Sequence, residues 1–216
     1  MDKLDATKEF FNEALKEINL LISYSRRNKN DFLRYATFNK SAIVLLCSKF
    51  ESYLENALQE YSYLHLKNST NKSVDSHIFE NVVEEIMSNL ELTKNNRVKR
   101  KPHLDSIAEF CGSEECSPID HYSVKPKFSY GKHGQKEVEK LLNKYGFSEI
   151  TKTESSANFF KQFNSLNFIR NNIIHEDATP SLTDKDVEKY LETISDFINV
   201  LDNEATKKLN LILPAT

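Results

Sequence analysis

The sequence predicts an all-α protein: a helical bundle of four to five main helices, interrupted by one irregular basic insertion. Three observations lead there. Only 4 Gly and 5 Pro punctuate 216 residues, which favours long helices over a strand-and-turn fold. Apolar residues recur at spacings of three, four and seven over several long stretches. Most of the breakers fall together, with Pro102, Gly112, Pro118, Pro126, Gly131 and Gly134 all lying between 93 and 135. Hydrophobic residues make up 39% of the chain, enough for one sizeable core, so a single domain spanning 1–216 is expected.

Leu4, Phe11, Leu15, Ile18 and Ile22 place a first amphipathic helix at about 4–24. The polar run at 26–31 reads as a turn. A long helix follows from about Phe32 to Leu66, with no Gly or Pro inside it. Its stripe includes Tyr35, Ala42, Ile43, Leu46, Phe50, Tyr53, Leu54, Ala57 and Tyr61, and between Ala42 and Phe50 it is apolar on most sides. That pattern marks a central, buried helix. After a polar loop at 67–76 a third helix is predicted from about His77 to Leu92.

The stretch 93–135 is predicted to be irregular, with one short helix near Leu104 to Phe110. It is a functional excursion from the bundle rather than a domain boundary. Helix resumes from Gln135 to Tyr145 and stops at Gly146, a C-cap candidate. Another helix is expected over Ser156 to His175, and a last one begins near Thr183, with Asp184 and Asp186 in its first turn. This last helix should bury Val187, Tyr190, Leu191, Ile194, Phe197, Ile198 and Leu201.

The net charge of -3 argues against a protein that is a polycation as a whole. The balance is uneven, however. Residues 93–136 hold nine Lys/Arg against five Asp/Glu, and Lys94, Arg97, Lys99, Arg100 and Lys101 are clustered. A basic patch on an acidic body is compatible with local contact to RNA, and equally with a solvated loop. Three cysteines and no signal peptide argue against a disulfide-stapled secreted protein. No apolar run approaches a membrane span. The cytoplasm is the expected location, with no membrane partner. Cys47, in an apolar helix, reads as a small core residue. The spacing of His103, Cys111, Cys116 and His121 matches no common zinc pattern, so no metal or other cofactor is expected.

The chemistry concentrates in Phe168-Ile169-Arg170-Asn171-Asn172-Ile173-Ile174-His175. Phe159, Phe163, Leu166 and Ile173 pack this helix inward, yet Arg170 falls in the same stripe. A guanidinium there needs a carboxylate, a subunit partner or a phosphate to meet its charge. Asn171 and His175 are four apart and share a face. His175 lies about 140° round the helix from Arg170, and a frayed last turn and a long Arg side chain could let the two converge. The set offers a cation for a phosphate, an amide for orientation and an imidazole able to exchange protons near neutrality. The plainer alternative is an Arg paired to an acid and a His that complements the helix C-terminus.

Arg170-Asn171-Asn172-Ile173-Ile174-His175 resembles the Arg-x4-His signature of the HEPN superfamily, in which a polar residue often follows the Arg. The stretch from Ser41 through Cys47, Phe50 and Leu54 to Glu55 is similar to the long second helix of stand-alone bacterial members. Gln135 to Phe147 is similar to the short helix before their catalytic one. The resemblance covers most of the chain except the basic insertion. It implies a helical bundle that dimerises, with two motifs in a shared cleft, and a metal-independent ribonuclease of a toxin–antitoxin or antiviral system. Arg170 and His175 would then be catalytic and Asn171 supportive, with RNA, a second copy and a cognate antitoxin or defence protein as partners. Lys94, Arg97, Lys99, Arg100 and Lys101 are the candidate RNA contacts. Glu176 departs from the pattern, since many relatives have Gly there, and it sets an anion beside the motif. A non-catalytic HEPN module that binds RNA or a protein, and a purely structural helical dimer, are the other readings.

Overall fold

The central element is a helix of 36 residues, Phe32–Lys67, about 54 Å long at 1.5 Å per residue. It is the second of eight helices among the described residues. The computed structural model describes residues 4–70, 73–112, 124–128, 134–176 and 179–212. In chain order the helices are α1 (Asp5–Arg27), α2 (Phe32–Lys67), α3 (Ser76–Leu92), α4 (Arg97–Gly112), α5 (Gln135–Lys144), α6 (Ser148–Thr151), α7 (Glu154–His175) and α8 (Asp184–Ile212). The all-α expectation holds; α1, α2, α3, α5 and α7 lie within a few residues of their predicted limits, and α8 begins beside the predicted Thr183.

α2 is central because apolar residues cover most of its circumference in its middle, leaving only a narrow polar stripe. Ala42, Ile43, Leu46, Cys47, Phe50, Tyr53 and Leu54 are all essentially fully buried. α1, α7 and α8 pack around it. Phe50 sits edge-on to Phe159 and Phe163 of α7 and to Phe197 of α8, at ring-centroid distances of 5.8, 5.2 and 6.1 Å. Phe159 and Phe197 stack at 3.9 Å. Each such pair adds about 1 kcal/mol beyond burial, and together they fix α7 against the core. Polar ties supplement the packing. Thr7 at the start of α1 donates its N–H to Glu60 of α2 at 3.0 Å, and Tyr53 donates to Asp202 of α8.

Local sequence explains the helix ends. Asp31 caps α2 by accepting from the Arg34 N–H. α5 ends in a Schellman motif: the Phe147 N–H bonds the Leu142 carbonyl, the Gly146 N–H bonds that of Asn143, and Gly146 takes φ +80°. Thr183 and Asp186 form a reciprocal capping box, Asp186 N–H to Thr183 Oγ1 at 3.2 Å and Thr183 N–H to Asp186 Oδ2 at 2.9 Å. Tyr190 and Leu191, expected in the core, are only partly buried.

The insertion is more regular than expected. The short helix predicted near Leu104 to Phe110 exists, but α4 begins at Arg97 and continues through Pro102. Asn96 makes this possible. Its Oδ1 accepts from the Lys99 N–H at 3.1 Å, and its carbonyl accepts from the Arg100 N–H at 2.9 Å. Pro102 is the sixth residue, so it removes a single early hydrogen bond, the one to Val98, rather than breaking a long ladder. α4 packs chiefly on α3. Residues 124–128 are non-helical as predicted; Val124 is buried, and the Phe128 N–H bonds Glu55 of α2 at 2.9 Å. Among the described residues no helix is long and apolar enough to cross a membrane.

Candidate functional site

α7 starts two residues before the predicted Ser156, because Thr153 caps it by accepting from the Ser156 N–H at 3.1 Å. Its inward face buries Phe159, Phe160, Phe163, Leu166 and Asn167. The opposite face carries Asn164, Ser165, Phe168, Asn171 and His175, all exposed. The last turn does not fray. α7 stays helical through His175, and the Glu176 N–H still bonds the Asn172 carbonyl at 3.2 Å. The continued ladder keeps Arg170 and His175 about 140° apart around the axis.

Arg170 bridges part of that angle with its own length. The side chain is half-buried, and its Nη1 donates to Asn171 Oδ1 at 3.0 Å. The guanidinium therefore bends toward the face on which Asn171 and His175 lie one turn apart. On its inner side it is near α2. Burial pushes the Cys47 thiol up to about 12; Glu51 adds to the rise and Arg170 opposes it. Arg170 and Glu51 thus flank Cys47 electrostatically where α7 meets α2. Cys47 itself is buried and free, the inert core thiol that its apolar helix suggested.

The segment after the motif is anchored. Asn39 Nδ2 donates to the Leu182 carbonyl at 3.0 Å, and Lys40 Nζ reaches Thr179 Oγ1 at 3.3 Å. Asp184, at the start of α8, accepts from Tyr35 at 2.9 Å, from Arg26 Nε at 2.8 Å and from Lys29 at 3.3 Å. Burial works against its charge, but Arg26, Tyr35 and Lys29 outweigh it and hold the carboxyl at about 2. Tyr35 and Asn39 on α2 and Arg26 on α1 thereby hold Leu182 and the start of α8 against the bundle.

Sequence reasoning missed a groove of about 620 Å³ beside the motif. Thr37, Lys40, Ser41 and Ser48 of α2, Leu21 of α1 and the motif's own Ile173 are among its lining residues. The signal was present: Thr37, Lys40, Ser41, Val44 and Ser48 follow i, i+3, i+4, i+7, i+11, a largely polar stripe along an otherwise apolar helix.

The basic cluster is elsewhere. Lys94 lies in the turn between α3 and α4, where Glu91 already pairs with it. Arg97, Lys99, Arg100 and Lys101 are exposed on the first turns of α4. Lys94, Arg97, Arg100 and Lys101 line a second cleft, of about 840 Å³, together with Val98 and Leu104. Arg97 and Lys101 are like charges at i, i+4, an arrangement that destabilises a helix unless an anion offsets it. Arg170, Asn171 and His175 all lie in the last two turns of α7, with Arg170 bonded to Asn171, while α4 packs chiefly on α3. His103 is half-buried on α4, while Cys116 and His121 lie outside the described residues, as does the side chain of Cys111. Among the described residues no three His, Cys, Asp or Glu side chains group as metal ligands would.

The RiboL-PSP-HEPN family model matches residues 9–207. The chain belongs to this family. The match takes in α2, the basic α4 and the whole of the α7 motif, so membership of the HEPN superfamily no longer rests on short resemblances alone. It points to an RNA-related function for the RiboL-PSP-HEPN chain. No curated protein and no solved structure matches it significantly.

Proposed function

We propose that this RiboL-PSP-HEPN protein is a metal-independent endoribonuclease. It works in the cytoplasm as a homodimer, as a toxin or antiviral-defence effector with a cognate antitoxin or defence protein as its further partner. The observation that carries the reading is the turn of Arg170 onto Asn171, which aims a cation at the exposed face holding His175. Dimerisation fits the same geometry. A regular helix separates Arg170 from His175, so a cleft shared by two α7 ends would supply two imidazoles around one phosphate.

RNA contains its own nucleophile in the 2′-hydroxyl. One imidazole takes the 2′-hydroxyl proton as O2′ bonds to the adjacent phosphorus. The P–O5′ bond breaks, and the other imidazole gives a proton to the departing 5′-oxygen. Arg170 stabilises the charge that builds on the phosphate, and Asn171 orients the scissile group. The products are a 2′,3′-cyclic phosphate and a 5′-hydroxyl. Arg97, Lys99, Arg100 and Lys101 contribute affinity rather than chemistry, and Lys94, already paired, contributes less.

Purified protein incubated with total RNA tests this. Cleavage should persist in EDTA, spare DNA and leave those termini. Arg170→Ala and His175→Ala should each abolish it while the protein stays folded. Light scattering should give about twice 25.0 kDa. Loss of cutting in EDTA, or a His175→Ala protein that cuts like wild type, would refute the mechanism. A second reading, a non-catalytic module that binds RNA or a protein, is favoured by Glu176, an exposed carboxylate next to His175. Wild-type protein that binds RNA tightly but never cuts it would establish that alternative.

A further inference from the structure

Building on the ribonuclease reading, we infer that Phe168 is a base-stacking platform that seats one nucleotide of a single-stranded RNA beside the Arg170–His175 site.

Phe168 is 67% exposed, although it sits in the middle of a helix whose other phenylalanines are buried. Phe32 and Leu33 are exposed as well, so exposure alone does not single Phe168 out. Its position is specific. Seven residues separate it from His175, so the two lie about 20° apart around α7 and about 10 Å apart along it. The base next to the scissile phosphate would reach the ring.

The surroundings decide what covers it. The helix-surface neighbours of Phe168 at i±3, i±4 and i±7 are Asn164, Ser165, Asn171, Asn172, Lys161 and His175. None is apolar. A dry interface with another protein needs a contiguous apolar core around its anchor, and this face has none. What it offers is one ring ringed by amides, a hydroxyl and a cation. Stacking supplies sequence-tolerant affinity for an unpaired base, and amides can bond its edge in either sense. The amides are held in place: Asn164 Nδ2 donates to Gln135 at 2.8 Å, Ser165 pairs with the Tyr190 hydroxyl at 3.0 Å, and Asn171 takes the bond from Arg170. A duplex buries its base faces, so the platform selects single strands.

Phe168 does not touch the reacting atoms, so its effect falls on kcat/KM and affinity. Phe168→Ala should lower kcat/KM roughly ten- to hundredfold. Phe168→Tyr and Phe168→Trp should retain activity, whereas Phe168→Leu, apolar but without a ring face, should behave like the Ala variant. The chain has no Trp. In a Phe168→Trp, His175→Ala protein the single indole should therefore be quenched by a 12-nucleotide single-stranded RNA, and not by the same strand annealed to its complement. Phe168→Leu matching wild type, or no quenching by the single strand, would overturn the platform. So would Phe168→Ala dissociating a dimer without changing RNA affinity, since the ring would then be a subunit contact. If wild type neither binds nor cuts RNA, both proposals fall. If wild type cuts and Phe168→Ala cuts equally well, only this one does.

Discussion

Replacing Asp184 by Asn removes a charge on which three elements converge. The Asp184 side chain is only 4% exposed, and it is met by Arg26 from the end of α1, Lys29 from the turn after it and Tyr35 from α2. Its carboxyl is held at about 2, against an ordinary value near 3.8. A shift of that size corresponds to about 2.5 kcal/mol. Arg26 and Lys29 are about half exposed, so solvent screening reduces this to roughly 1–2 kcal/mol. The sign follows from the depressed folded-state value. The contribution is fully present above the unfolded-state value near 4 and is lost as pH falls from there through about 2. Urea unfolding at pH 7 should therefore find Asp184→Asn less stable than wild type by about that amount, and the gap should close between pH 4 and pH 2. A gap that is absent at pH 7, or unchanged at pH 2, would show that the latch contributes nothing through its charge.

Gly146→Ala should cost about 1–2 kcal/mol in thermal unfolding, because φ is +80° and the added Cβ would lie 3.2 Å from His77 Nδ1. His65 is buried, and its pKa is lowered first by that burial and then by Lys208, against Asp75. Its folded-state value is thus below the ordinary one, so stability should fall as pH drops below about 6.5, and His65→Asn should flatten that part of the pH–stability curve. Changing Arg97, Lys99, Arg100 and Lys101 to Gln should weaken RNA binding across sequences and reduce the slope of log affinity against log salt by roughly one unit per lost phosphate contact. Binding that keeps its salt slope would remove α4 from the interface.

The helices α1, α2, α7 and α8 were readable because each must bury one stripe, and Ile18, Phe50, Phe163 and Ile194 recur at the spacing that burial imposes. α4 was read short because Pro102 counts as a breaker unless the position of the N-cap is known, and Asn96 is an unremarkable residue until its side chain is seen bonding the Lys99 N–H. The motif residues were found from their types and spacing. Their relation was not: the sequence left a frayed end open as a way for the two to converge, whereas the intact ladder to His175 leaves Arg170 to turn through Asn171. The groove beside Ile173 escaped notice because it is formed by α1, α2 and α7 together, and spacing within one helix does not reveal what a neighbouring helix leaves uncovered.

None of residues 97–108 of α4 is fully buried, and the helix leans on α3 rather than on the central α2. Ile107 packs against the core, and the core constrains the other residues from 97 to 108 little. Substitutions at its exposed positions should cost the bundle far less than substitutions at Phe50 or Phe159, because they leave the packing that orients α7 untouched. The proposed RNA contacts on α4 could thus be changed without drawing on the free energy that keeps the bundle folded.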